Sequence, residues 1–140
     1  MNGLPGRPWS PTKDLTYCNY FVHGVCRALG YGQFTHNGTT RPMLANEMID
    51  FISDSKNGWI KVEGEVAQYH ANAGVLVIAG KKEDDHGHVC IVRPGEFQFS
   101  PQWGKKSPRV ANIGKSVFID HSCSYAFVNE PDFFALTEMI

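Results

Sequence analysis

The chain has 140 residues, 42% of them hydrophobic and 19% charged, a balance that supports one compact core without disulfides or metals and carries no signature of disorder. Thirteen basic against fourteen acidic residues leave a formal net charge of -1, which argues against nucleic acid and anionic membrane as partners. The longest unbroken apolar run, residues 75–79, is far shorter than the roughly 20 residues that span a bilayer, so no transmembrane helix is expected.

No repeat, low-complexity tract or linker-like shift divides the sequence, and residues 1–140 are read as a single domain. Residues 1–15 are rich in Gly and Pro and read as an irregular arm. Residues 1–11 hold no apolar stretch of the kind a secretory signal needs, and four irregularly spaced cysteines demand no disulfide framework, so the compartment is left open.

From residue 17 the pattern becomes helical. Cys18, Phe21, Val22, Val25, Cys26 and Leu29 recur at helical spacing, and Gly30 supplies a stop, which predicts a helix over 17–29. After Pro42, the residues Leu44, Met48, Ile49, Phe51 and Ile52 share one side of a second helix. A helical turn is expected over 65–70, then a buried strand over 75–79 and a partner strand over 87–93, the two forming a hairpin-like pair. Further strands are expected near 109–113, 116–119, 126–129 and 133–136, with Trp59 and Trp103 in loop-like segments. The class is α+β, with helices first and an antiparallel sheet of about five to six strands after them.

Chemistry concentrates at two positions. A cysteine in the first turn of a helix sees the positive end of the macrodipole and backbone N–H groups without helical acceptors. Both favour thiolate over thiol, and the same N–H groups can hold an oxyanion; Cys18 occupies that position. His88 opens a strand after a polar tip, where a rigid edge can turn its ring toward the helix terminus. For the group that orients His88 the sequence offers Asn112 on the next strand, with Asp120 as the alternative and His121 a more distant one. Asn112 is also open to a plain turn role before Gly114. Tyr17 is open to lining the cleft, donating to the oxyanion or simply packing in the core, and Asn19 to capping the helix or touching substrate.

A metal site is the rival constellation, since His86, His88 and Cys90 alternate and His70, His121 or Cys123 could complete a set. Strictly alternating residues rarely converge three ligands on one ion, and Cys90 sits in an apolar run typical of core packing. No metal and no cofactor is therefore expected.

The segments Thr16-Tyr17-Cys18-Asn19-Tyr20-Phe21-Val22 and Gly87-His88-Val89-Cys90-Ile91-Val92 resemble those of the CHAP and NlpC-like cell-wall hydrolases, a papain-like superfamily. There the nucleophile heads the first core helix, the histidine opens a strand and a third polar residue follows on the next. Cys preceding His also distinguishes the sequence from permuted relatives of lecithin:retinol acyltransferase type, in which the histidine comes first. The resemblance implies N-terminal helices packed on an antiparallel sheet and hydrolysis of an amide bond in peptidoglycan, within the stem peptide or between it and the sugar. It implies peptidoglycan or its muropeptides as substrate, a target in the periplasm or extracellular wall, and an inhibitor or immunity protein as a candidate protein partner. A protein-directed protease, a transferase, or a non-catalytic wall-binding module of the same fold are the competing readings.

Overall fold

The computed structural model describes residues 17–35, 41–84 and 86–137; the expected arm over 1–15 lies outside them. Among the described residues the chain is α+β: helix α1 (Cys18–Ala28), α2 (Ala45–Ser53), strand β1 (Trp59–Val62), α3 (Gly64–Asn72), β2 (Val77–Lys81), β3 (His88–Val92), β4 (Gln98–Ser100), β5 (Lys105–Ser107), β6 (Arg109–Ile113), β7 (Val117–Ser122) and β8 (Asp132–Leu136). Six strands form one sheet in the order β1-β8-β2-β3-β6-β7, every neighbouring pair antiparallel, and β4 and β5 form a separate hairpin. No described helix is long and apolar enough to cross a membrane.

Strand alternation divides the core in two. Ile78, Val89, Ile91 and Phe134 join Cys18, Val22, Cys26, Met48, Ile49 and Ile52 of α1 and α2 in one buried cluster. Their strand neighbours Val77, Ala79, Cys90, Val92, Phe133 and Ala135 join Ala67 and Ala71 of α3 in another. Because side chains alternate along a strand, the central strands are apolar at nearly every position and are covered on both faces.

Helix α1 forms because Cys18, Val22 and Cys26 repeat every four residues and place one fully buried stripe on the sheet. It ends where Gly30 adopts φ 96° and Tyr31 N–H bonds the Cys26 carbonyl at 2.8 Å. This is the left-handed stop for which glycine is suited. At the start of α2, Leu44 N–H donates to Glu47 Oε1 at 2.8 Å, the glutamate half of a capping box.

Three expectations need correction. The strands do not all follow the helices: β1 precedes α3 and forms the sheet edge beside β8. Trp59 is not in a loop but fully buried at the head of β1, where its Nε1–H donates to Tyr31 Oη at 2.9 Å. Residues 126–129 form no strand; a 3-10 turn, Cys123–Tyr125, precedes them and Phe127 turns inward to the core. Burying Phe127 outweighs the β-propensity of that short run.

Candidate active site

The first residue of α1, the first residue of β3 and the penultimate residue of β6 meet at one end of the sheet. Helix α1 lies across β3 and β6, so its N-terminal turn brings Cys18 to His88. Asn112 is 2% exposed, and its Nδ2 donates to the Ser116 carbonyl at 2.9 Å. That bond fixes the amide orientation and presents Oδ1 to His88 Nε2 at 2.6 Å. Nε2 must therefore carry a proton and donate, which leaves Nδ1 as the nitrogen for the hydrogen bond with Cys18.

Electrostatics follow from this geometry. Burial pulls the His88 pKa down, but the hydrogen bond and charge of Cys18, with smaller contributions from the charge of Cys90 and the Asn112 hydrogen bond, push it up to about 9. The charged form of the His88 ring is thus favoured beside Cys18. All four cysteines are buried, so burial alone does not single out Cys18; its charged neighbour does. Cys26, on the same helix stripe, is pushed up to about 12 by burial, and burial likewise raises Cys123.

Two further residues shape the site, and neither was expected to. A Cβ added at Gly114 would lie 2.9 Å from His88 Cε1, so only glycine lets the ring sit this close to β6. The Phe127 ring centroid lies 5.0 Å from that of His88, bounding the imidazole with an apolar surface. Gly114 left a trace in the sequence as the glycine of an Asn-x-Gly turn, whereas the contact of Phe127 depends on a turn that local pattern did not predict.

The other candidates fall differently. Tyr17 is the N-cap of α1, 7% exposed and 6.0 Å from Tyr20 between ring centroids. Asn19 turns inward: its Nδ2 donates to the Met43 carbonyl at 3.1 Å, tying α1 to the segment before α2, while its buried Oδ1 has no hydrogen-bond partner among the described residues. Asp120 is not brought to His88; it pairs with Arg109 Nε at 2.9 Å and Arg93 Nε at 3.8 Å. His121 is stacked on Tyr125. Among the described residues no three His, Cys, Asp or Glu side chains gather as a metal set. An apolar cavity of about 560 Å³ opens beside Leu29, at the other end of α1 from Cys18, lined also by Leu76, Ile91, Pro94 and Leu136.

No protein-family model matches the chain. The peptidoglycan amidase Tse1 of Pseudomonas aeruginosa is 37% identical to it over 87 residues, which is 61% of this chain and 49% of that protein. The chain thus spans about half the length of the curated relative it matches. The likeness relates it to a peptidoglycan hydrolase.

Proposed function

We propose that this chain is a cysteine hydrolase of amide bonds in bacterial peptidoglycan, built on a papain-like, NlpC-like arrangement. Cys18 is the nucleophile, His88 the base and then the acid, and Asn112 the residue that orients His88. The observation that carries the reading is the continuous hydrogen-bonded line from Cys18 through His88 to Asn112, whose second bond is 2.6 Å long. The partial likeness to a peptidoglycan amidase supports the choice of substrate.

The chemistry follows from the arrangement. Cys18 sulfur, as thiolate, attacks the scissile carbonyl carbon; the C–S bond forms and the carbonyl π pair moves to oxygen. N–H groups of the first turn of α1, which have no acceptor within the helix, stabilise that oxyanion. The oxyanion collapses, the C–N bond breaks, and His88 Nδ1–H protonates the leaving amine. Water then attacks the thioester, His88 takes its proton, and the acid leaves as the thiolate is restored. Asn112 keeps Nε2 protonated throughout, so that Nδ1 remains the nitrogen that exchanges protons.

The test is mass spectrometry of purified peptidoglycan and defined muropeptides after incubation with the protein. Cleavage of one amide bond is expected, lost in Cys18→Ala and reduced about 10²- to 10⁴-fold in His88→Ala. If no muropeptide changes while a thiol probe still labels Cys18, the wall substrate is wrong and the dyad stands. A Cys18→Ala variant that retains full cleavage rules out the mechanism.

A further inference from the structure

The edge strand β7 carries a feature that the proposed chemistry does not use. Its register with β6 places Asn112 opposite Phe118 and Val110 opposite His121. One residue of β6, Ala111, thus faces two of β7, Ile119 and Asp120, the signature of a β-bulge. Residues three apart on a regular strand point to opposite faces; the bulge puts Phe118 and His121 on one face, the face of Asn112. Their rings meet edge to face at 5.4 Å.

The 3-10 turn that follows folds Tyr125 back onto His121, with ring centroids 4.4 Å apart and planes 25° apart, and Phe118 braces Tyr125 edge-on at 6.5 Å. Tyr125 is 61% exposed, and His121 is exposed beside it. Two residues further on, Phe127 leans on His88. A single short turn therefore carries both a solvent-facing ring stack and the ring that touches the candidate base.

The geometry points to this stack as a subsite for a sugar ring of the glycan strand, on the Asn112 face of β6 and β7 and linked to His88 through Phe127. Given that the chain acts on peptidoglycan, this names the part of the substrate bound outside the scissile amide. A pyranose presents an apolar C–H face and a rim of hydroxyl and acetamido groups. The outer face of Tyr125 matches the first, and the phenol hydroxyl and the His121 ring nitrogens match the second. Two rings have the footprint of a sugar unit, far below the roughly 800 Å² per partner of a standard protein interface. Val117 and Ile119, also exposed, do not extend the platform, because on the strand they alternate with Phe118.

The test is binding of a β-1,4-linked N-acetylglucosamine tetramer, which carries no stem peptide, to the full chain bearing Cys18→Ala, followed by NMR titration. Saturable shifts centred on residues 117–127 are expected. Tyr125→Ala and His121→Ala should each weaken binding by up to about tenfold, and Tyr125→Trp should retain it. No saturable binding, or binding that neither alanine substitution changes, overturns the subsite. Because binding is read without turnover, its failure is separate from failure of the hydrolase reading, which muropeptide cleavage by the unsubstituted chain reports.

Discussion

Cys18 and Cys26 share a helix, a stripe and complete burial, yet of the two Cys18 is the one that hydrogen-bonds the His88 imidazole. At pH 7.5 iodoacetamide is expected to alkylate Cys18 well before Cys26, Cys90 or Cys123, as peptide mapping would show; equal rates would refute the ion pair. The His88 pKa of about 9 lies above its ordinary 6.5, so folding favours the protonated ring. Its contribution is complete below about 6.5 and is lost as pH rises through about 9. The alkaline limb of kcat/KM should accordingly fall near pH 9, and Asn112→Ala should move it to lower pH by removing a hydrogen bond that favours the charged ring. Gly114→Ala should push the imidazole off that line, with kcat falling more than KM rises and the fold unchanged by circular dichroism. Retained kcat in this variant would mean that the ring has room to spare.

The elements hold these residues by their ends. Helix α1 offers Cys18 at its first turn and closes at Gly30 and Tyr31, whose hydroxyl accepts from Trp59 and so joins the end of α1 to β1. Tyr31→Phe leaves a buried indole N–H without a partner and should cost about 1–3 kcal/mol in urea denaturation, with Cys18 labelling unchanged in the native state. An unchanged midpoint would show that another group satisfies the indole. Strand β3 supplies His88 at its mouth for a matching reason: the residue pairs with Lys81 at the end of β2, where the ladder meets the polar tip. Strand β6 was legible over 109–113 with its bounds intact, because Val110 is buried and the run is closed by Gly114. Strand β1 was not, since the adjacent exposed residues Ile60 and Lys61 interrupt the alternation of a half-buried strand and its pairing to β8 spans more than seventy residues of chain.

Across the molecule, β8 lies between β1 and β2, and Phe134 is 2% exposed within the cluster beneath α1 and α2. Phe134→Ala should lower stability by about 3–5 kcal/mol in chemical denaturation. Loss of selective Cys18 labelling should coincide with loss of secondary structure, because positions 18, 88 and 112 are brought together only by the packing of α1 on the sheet. A site that melts first would show α1 to be an independently opening unit. By itself the sequence determined the α+β class, the helix that presents Cys18, the hairpin that presents His88 and the candidacy of Asn112, since each rests on periodicity and end signals within a dozen or so residues. Only the tertiary structure brought Asn112 within hydrogen-bond reach of His88, drew Asp120 to Arg109 instead, and set Gly114 and Phe127 against the imidazole. Those outcomes depend on strand register, that of β3 on β6 and of β6 on β7, through contacts between residues far apart in the chain that no local pattern records.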